Sequence, residues 1–271
     1  MTMTVQEGND LILRSLFNPL PFMAARLGAL EFCCISCYLS MGWWPENLKD
    51  KVRNNAGFFP TDDESLSNFC ETMIKHIPSA DLMATWLDEE NFLYEHNKNL
   101  QLSGLRCLEP YYYSNPWSQA LEGKRVLVIH PFENSIKKQY EKRSLIFGNG
   151  KILPEFRLLT IKAVQSMAGM KTEFSTWFEA LDSMRSKISE ADFDIALVGA
   201  GSYGFPLAGF IKSLGKKVVH MGGALQILFG IKGVRWESHE HISTLFNEHW
   251  VRPSKEETPE NHLSIENGCY W

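Results

Sequence analysis

The sequence has no excess of basic residues and no hydrophobic run long enough to span a membrane. Its 271 residues include 27 Lys and Arg against 32 Asp and Glu, which gives a net charge of −5 at pH 7. A chain without a basic surface is unsuited to DNA or RNA, so no nucleic-acid partner is expected. The longest apolar stretch, residues 27–41, contains Glu31 and falls short of the roughly 20 residues of a membrane span. Acidic residues before this stretch argue against a signal peptide, and we expect a cytoplasmic protein without a transmembrane segment.

The sequence also lacks a cysteine framework, internal repeats and low-complexity tracts. Of its six cysteines, Cys33, Cys34 and Cys37 share one apolar segment and the others are scattered. This spacing is not that of a secreted disulfide framework. The CxxC formed by Cys34 and Cys37 has no second pair or histidine cluster to complete a zinc site, so these cysteines are expected in a helix core.

The composition is that of one globular domain covering residues 1–271, since 44% of the residues are apolar and 22% are charged. Residues 1–120 are predicted to be mainly helical, with a buried helix over 24–40. Helical segments are predicted over 61–99, where Asp62 is a candidate N-cap and Pro78 divides the pattern. Residues 121–250 are predicted to contain repeated strand and helix units. Residues 251–271 are predicted to form a polar tail on the surface.

The second part contains apolar runs typical of buried parallel strands, at residues 125–130, 156–164, 194–198 and 217–221. Helices are predicted to follow them at residues 134–147, 176–191 and 205–214, and from residue 223 onward. Strands that alternate with helices in this way lie parallel in one sheet with right-handed crossovers. The predicted fold class is therefore α/β, with a doubly wound, mostly parallel Rossmann-like sheet and an α-helical N-terminal portion.

A first glycine loop, Gly199-Ala-Gly-Ser-Tyr-Gly204, lies between a predicted strand and a predicted helix. Glycines let the backbone approach a phosphate, and the helix start offers free N–H groups to it. The next strand ends in His220 without an acidic residue for a ribose hydroxyl, which disfavours nicotinamide or flavin cofactors. The loop is a candidate phosphate site through Gly199, Gly201, Ser202 and Tyr203; the alternative is a tight turn that binds nothing.

A second glycine loop, His220-Met-Gly-Gly-Ala-Leu-Gln226, ends the adjacent predicted strand. Both loops should lie at the carboxyl edge of the sheet, where open α/β folds bind ligands. His220 is a candidate phosphate contact or base, and the alternative is a strand-end histidine held by the backbone. Gly222, Gly223 and Gln226 are candidates for contact with the same ligand.

The end of the first predicted strand of this part reaches the same edge with His130. Asn134 and Ser135 suit the N-cap of the next helix, and this position could also hold a sugar or phosphate. Arg143 lies further along that helix. It is a candidate phosphate clamp or, alternatively, a solvated surface charge.

The segment Arg26-Leu-Gly-Ala-Leu-Glu31 places a charged pair in an otherwise apolar region. A buried glutamate is costly unless it is paired or functional. A structural pair with Arg26 is the alternative, although a spacing of five is not ideal along one helix face. The cost of burying the charge favours a functional role for Glu31.

Together these segments resemble the GT-D type of glycosyltransferase and the related bacterial GT-D fold-like domains found with surface-polysaccharide genes. The family pairs an N-terminal R-x-G-D-G-E with a central P-x-x-N-A and a late glycine-loop unit. The counterparts here are residues 26–31, 131–135 and 199–226. The resemblance implies transfer of a sugar from a nucleotide-diphosphate sugar to a glycan or lipid-linked acceptor, in surface polysaccharide biosynthesis.

The resemblance also implies roles for individual residues. Glu31 and His220 are the implied catalytic residues. The implied substrate-binding residues are Arg26, Gly28, His130, Asn134, Arg143, Gly199, Gly201, Ser202, Tyr203, Gly222, Gly223 and Gln226.

Ala29 stands where the family motif has its aspartate, so the divalent metal (Mn or Mg) that the family associates with its donor is in doubt and no metal ligand is assigned. The same departure leaves open a non-catalytic nucleotide-sugar-binding or partner protein. Association into an oligomer is compatible with either reading. Four tryptophans, Trp43, Trp44, Trp117 and Trp236, are expected either to stack on sugar rings or to pack in the core.

Overall fold

The computed structural model describes residues 2–86 and 92–271. Its strands are β1 (Phe22–Ala25), β2 (Leu82–Thr85), β3 (Gln101–Gly104), β4 (Arg125–His130), β5 (Arg157–Lys162), β6 (Ile195–Val198) and β7 (Lys217–His220). Its helices are α1 (Val5–Phe17), α2 (Ala29–Ser40), α3 (Glu46–Lys51), α4 (Asp63–His76), α5 (Phe92–His96), α6 (Glu133–Tyr140), α7 (Arg143–Ile146), α8 (Trp177–Glu190), α9 (Gly204–Ser213), α10 (Leu225–Leu228) and α11 (Val234–Glu237). Within these residues no helix combines the length and apolar character needed to cross a membrane.

The strands form one seven-stranded parallel sheet in the order β3-β2-β1-β7-β6-β4-β5. Two apolar clusters cover its faces. One includes Val126 and Val128 of β4, and the other includes Leu127 and Ile129 of the same strand. Alternating residues of one strand thus reach opposite clusters, as a sheet covered on both faces requires. The predicted doubly wound, parallel α/β fold is confirmed.

The predicted strands of the second part are present within two residues of their expected bounds, whereas the helix predicted over 134–147 is divided into α6 and α7 and the helix predicted from residue 223 is the short α10. Thr176 accepts a hydrogen bond from the Glu179 amide at the start of α8, at the position where that helix was predicted to begin. Gly215 follows α9 with φ of +76°, the left-handed conformation expected after a helix end. Local sequence signals therefore determine these element boundaries.

The N-terminal part contributes three strands that the sequence analysis did not predict. The helix predicted from residue 24 begins only at Ala29, because residues 22–25 form β1 in the middle of the sheet. In the segment 61–99, Asp62 caps α4 as predicted, but β2 follows Pro78. Residues 87–91 of that predicted helical segment lie outside the described residues, as does residue 1.

The tail, residues 251–271, is anchored to the domain by several buried residues. Cys269 and Trp271 are 3% and 5% exposed. Glu257 is buried as well, and its carboxylate accepts hydrogen bonds from the backbone amides of Asn134 and Ser135 at 2.8 and 3.2 Å. The tail therefore caps the N-terminus of α6 through buried anchor residues, while residues such as Arg252, Glu260 and Leu263 remain exposed.

Candidate functional site

The two glycine loops lie side by side at the carboxyl edge of the sheet. They follow β6 and β7, which pair in parallel with Val198 opposite His220. A Cβ atom on Gly199 would lie only 2.6 Å from the carbonyl oxygen of Gly222, so the loops are in direct contact. Gly201 and Gly222 have φ values of +54° and +62°, in the left-handed region that favours glycine.

A cleft of about 170 Å³ opens between these loops and the end of β1. The predicted site residues that line it are Arg26, Gly28, Glu31, Gly201, Ser202, His220, Gly222 and Gly223. An adjoining hollow of about 60 Å³ is lined by His130, Gly199, Gly201, Gly223 and Gln226. The structure thus brings most of the predicted site residues to one place.

Arg26 supplies positive charge to the cleft. Its guanidinium carbon lies 5.3 Å from the centre of the Trp86 ring, and its Cδ borders Gly222. Within residues 2–86 and 92–271, no carboxylate lies within 4.0 Å of its nitrogens. A guanidinium without an ion pair is well suited to bind the oxygens of a phosphate.

Glu31 supplies a carboxyl group in the first turn of α2. The side chain folds back over Gly28, the N-cap residue, so that a Cβ atom there would clash with its carboxylate. Part of the residue remains accessible from the cleft. Burial of the carboxyl group raises the pKa of Glu31, while its own backbone amide and Arg26 act in the opposite direction. Glu31 therefore holds a proton more readily than an exposed glutamate does.

His130 and His220 are each 4% exposed, and burial lowers the pKa of both to about 3. Arg26 adds to this effect at His220. His130 Nδ1 accepts a hydrogen bond from the Phe132 amide at 3.0 Å, which is the backbone-held arrangement considered for a strand-end histidine. Both imidazoles are neutral at pH 7, so His220 does not provide positive charge to a leaving group.

His220 nevertheless has an unused hydrogen-bonding atom. Its Nδ1 is buried and has no hydrogen-bond partner among the described residues. The ring lies against Gly204, where any side chain would clash with it. His220 is thus fixed as a neutral polar group at the wall of the cleft.

Ser202 and Tyr203 stabilise the first glycine loop from behind. Ser202 Oγ accepts a hydrogen bond from Trp177 Nε1 at 2.9 Å and donates one to the Ala56 carbonyl at 2.8 Å. The Tyr203 ring stacks on Trp177 at 5.0 Å, and its hydroxyl lies 3.0 Å from that of Ser166. Tyr203 lines neither the cleft nor the hollow, and its contact with substrate stays a prediction.

Arg143 lies at the opposite edge of the sheet. It forms an ion pair with Glu155 at 2.7 Å and covers the Tyr140 ring. The Glu155 carbonyl accepts a hydrogen bond from the Gly123 amide, just before β4 begins, which places the pair at the amino ends of the strands. The structure does not bring Arg143 to the glycine loops, and its role as a phosphate clamp stays a prediction.

Asn134 and Gln226 have structural contacts with the tail. Asn134 exposes its side chain, and its amide donates to Glu257 rather than forming the expected N-cap. The Gln226 side-chain amide donates to the carbonyls of Tyr270 and Ile231 at 3.0 and 3.2 Å. Its Oε1 is buried without a hydrogen-bond partner among the described residues. Gln226 therefore secures the tail, with one polar atom left at the hollow.

The sequence analysis missed the residues that complete the cleft wall. Trp86, 46% exposed, donates from its indole nitrogen to the Leu27 carbonyl at 3.3 Å. From the tail come Glu266 and Tyr270, and Arg235 comes from α11. No sequence motif surrounds these residues. The tryptophans considered as sugar contacts do not line the cleft: Trp44, Trp117 and Trp236 are buried, and Trp43 is exposed elsewhere.

The carboxylates of the described residues do not fit a divalent metal site at the cleft. In residues 2–86 and 92–271, no group of three His, Cys, Asp or Glu side chains could hold an ion. Among the described residues, the acids of the cleft wall are Glu31 and Glu266 alone, and Glu266 is paired with Arg235. Ala29, in the place of the motif aspartate, also lines the cleft and offers no ligand.

A larger hollow, of about 700 Å³, lies at the other edge of the sheet. It is bordered by Arg14 of α1, by Phe22 at the start of β1 and by Asp81 just before β2. Ligands of open α/β sheets bind at the carboxyl edge, whereas this hollow faces the amino ends. The cleft with the converging glycine loops is therefore the candidate site.

Comparisons with known proteins identify the fold but no family. No protein-family model and no curated protein matches the sequence. A solved structure described as a highly conserved domain of unknown function 1792 with a distinct glycosyltransferase fold has a TM-score of 0.51 and 10% identity, over 94% of this chain and 92% of that chain. A second, described as a new glycosyltransferase of this domain type from Streptococcus sanguinis, has a TM-score of 0.52 and 12% identity, over 95% and 96% of the two chains.

This similarity extends over nearly the whole chain. At 10% and 12% identity it establishes the fold alone: the chain has a glycosyltransferase fold. The resemblance to GT-D type glycosyltransferases that the sequence motifs indicated is confirmed at that level.

Proposed function

We propose that this protein is a glycosyltransferase-like enzyme that transfers a sugar from a nucleotide-diphosphate sugar to a glycan or lipid-linked acceptor, in surface polysaccharide biosynthesis. The observation that carries the proposal is the cleft, in which two glycine loops and Arg26, which has no ion pair among the described residues, converge at the carboxyl edge of a glycosyltransferase fold. Open α/β sheets bind their ligands at this edge.

The donor diphosphate would lie against Arg26 and the two loops. Gly201 and Gly222 each begin a single turn of 3-10 helix, and the first N–H groups of a helical turn have no acceptor within it. Such amides and a guanidinium stabilise negative charge that develops on a leaving diphosphate. His220 would donate or accept a hydrogen bond as a neutral imidazole.

Glu31 would act as the general base for the acceptor hydroxyl. The acceptor oxygen forms a bond to the anomeric carbon as the bond from that carbon to the diphosphate oxygen breaks, and the hydroxyl proton passes to Glu31. A carboxylate whose pKa is raised by burial is a stronger base than an exposed one. The nucleotide diphosphate leaves with the electron pair of the broken bond.

A second function, a non-catalytic nucleotide-sugar-binding or partner protein, is favoured by Ala29. The alanine removes a carboxylate from the cleft wall, and the described residues offer no group of metal ligands. Such a protein would keep the affinity for the nucleotide and lack turnover.

A two-stage experiment tests these proposals. The first stage is a thermal-shift screen with UDP and GDP, each with and without Mn²⁺; stabilisation by a nucleotide supports both functions, and no shift with any of them removes both. The second stage measures slow hydrolysis of the corresponding nucleotide sugars. Binding without any hydrolysis would support the non-catalytic function.

Glu31→Gln is the decisive variant in the second stage. Its matched control is Glu64→Gln, since Glu64 also lies in the first turn of a helix, α4, but is exposed outside the cleft. Hydrolysis that disappears in Glu31→Gln and persists in the control supports the base role. Hydrolysis that is equal in both variants removes Glu31 from the mechanism.

A further inference from the structure

Arg235 and Glu266 form an ion pair in the wall of the cleft. The Arg235 guanidinium donates to the Glu266 carboxylate and also to Cys269 Sγ at 3.4 Å. It lies 4.8 Å from the centre of the Tyr270 ring, which fixes its position. Burial acts against its charge, but the neighbouring Tyr270, Cys269 and Glu266 raise the pKa of Arg235. Arg235 is therefore permanently charged, and the Glu266 carboxylate is the anion that pairs with it in the cleft wall.

The turn that carries Glu266 has an unusual backbone. Glu266, Asn267 and Gly268 have successive φ values of +45°, +57° and +77°, all in the left-handed region. Only the last of these residues is a glycine, and a left-handed glutamate is uncommon. Strained conformations of this kind concentrate at ligand-binding and switching segments.

The pair is not what holds the tail in place. The Val234 and Arg235 amides donate to the carbonyls of Trp271 and Cys269 at 3.2 and 3.1 Å. Gln226 holds the Tyr270 carbonyl from the other side at 3.0 Å. The Glu266 side chain can therefore leave Arg235 while these backbone contacts remain.

The cleft is small for a nucleotide diphosphate, and movement of the Glu266 side chain would enlarge it. Its volume of about 170 Å³ is below the roughly 300 Å³ at which small-molecule sites begin. The Glu266 side chain is 57% exposed and so has room outside the cleft wall. Guanidinium groups bind carboxylate and phosphate in the same forked geometry, so a phosphate could replace the carboxylate on Arg235.

We propose that Arg235 is a second diphosphate-binding residue and that Glu266 occupies its anion position until the nucleotide diphosphate arrives. Arg26 and Arg235 then bind the diphosphate from two sides of the cleft. This inference rests on the proposed function, because it takes the ligand to be a nucleotide diphosphate.

Isothermal titration of the full chain with UDP and GDP tests the exchange. Glu266→Gln removes the competing charge and is expected to bind nucleotide about threefold more tightly, in line with a partly exposed ion pair. Arg235→Ala is expected to bind roughly tenfold or more weakly, because a charge-assisted contact is lost. If Arg235→Ala does not fold by circular dichroism, Arg235→Lys replaces it; lysine keeps the charge without the fork, and weaker binding is again expected.

The matched control is Glu237→Gln. Glu237 pairs with Arg252 in the same chemistry and lies on α11 beside Arg235, but outside the cleft. The two pairs are similarly exposed, at 43% and 45% for Arg252 and Glu237 against 38% and 57% for Arg235 and Glu266. Unchanged affinity in Glu237→Gln is expected.

The failures of the two proposals are distinguishable. If the wild type binds nucleotide and Glu266→Gln binds it equally or more weakly, the exchange is overturned and the proposed function still stands. So does binding that no Arg235 variant weakens. A folded wild-type protein that binds neither nucleotide overturns both.

Discussion

Gly199→Ala should destabilise the protein strongly, because the two glycine loops touch at this residue. Its new Cβ would lie 2.6 Å from the Gly222 carbonyl oxygen, 2.8 Å from His130 Cδ2 and 3.0 Å from Leu225 Cβ. The first of these atoms belongs to the backbone, and the distance to it would be roughly 0.8 Å shorter than an ordinary van der Waals contact. Overpacking of this kind costs about 3 kcal/mol, which lowers the melting temperature of a domain this size by roughly 6 °C or more.

The assay is urea unfolding followed by tryptophan fluorescence, with Gly150→Ala as the matched control. A Cβ at Gly150 meets no atom within 4 Å, and its φ is outside the left-handed region. The control should therefore change the free energy of unfolding by less than about 1 kcal/mol. Equal stabilities of Gly199→Ala and Gly150→Ala would refute the contact between the loops.

Three further predictions concern stability. Glu257→Ala should lower the free energy of unfolding, measured in urea, by about 2–4 kcal/mol, because it leaves the α6 amides without an acceptor. The control Glu256→Ala, at an exposed residue, should change that free energy little. Similar losses in the two variants would contradict the cap. His130 and His220, with pKa values of about 3, stay neutral in the folded protein while the unfolded chain takes up protons near pH 6.5. As the pH drops below that value, the free energy of unfolding should therefore decrease, by up to about 2 kcal/mol per histidine near pH 5. A free energy of unfolding that does not change with pH would contradict the burial of the two histidines. Burial raises the pKa of Glu109 to about 7, against the pull of nearby arginines. The stability that protonated Glu109 contributes is complete below about pH 4.5 and is lost as the pH rises through 7. The free energy of unfolding of Glu109→Gln should therefore rise relative to that of the wild type by about 2 kcal/mol between pH 5 and 8. A difference between the two proteins that does not change with pH would contradict this.

The strands of the second part could be predicted because each has a local signal. The run at 125–130 is a β-branched segment followed by a histidine and a proline, and β4 has the same bounds. The four-residue strands β1 and β2 read FMAA and LMAT, without alternation or β-branched enrichment. A short apolar run of this kind is indistinguishable from a buried helix segment in sequence, and only pairing with distant strands makes it a strand.

The parts of the candidate site that are formed by local turns of the chain were predictable from the sequence. Glycines at the ends of two strands located both loops, and Glu31 was located by its charge in an apolar segment. The tail residues Glu266 and Tyr270 were not, because contacts between distant segments place them at the cleft. The neutral state of His220 was missed for a related reason: burial sets its pKa, and sequence gives no measure of burial at a strand end.

The most direct test of the cleft as a nucleotide-diphosphate site is a calorimetric titration of UDP and GDP into the wild type, Arg26→Ala and Arg14→Ala. Arg26 lines the cleft, whereas Arg14 borders the larger hollow at the opposite edge of the sheet. We expect wild-type binding that weakens roughly tenfold or more in Arg26→Ala and is unchanged in Arg14→Ala. Binding that depends on Arg14 and not on Arg26, or no binding by the folded wild type, would contradict the account.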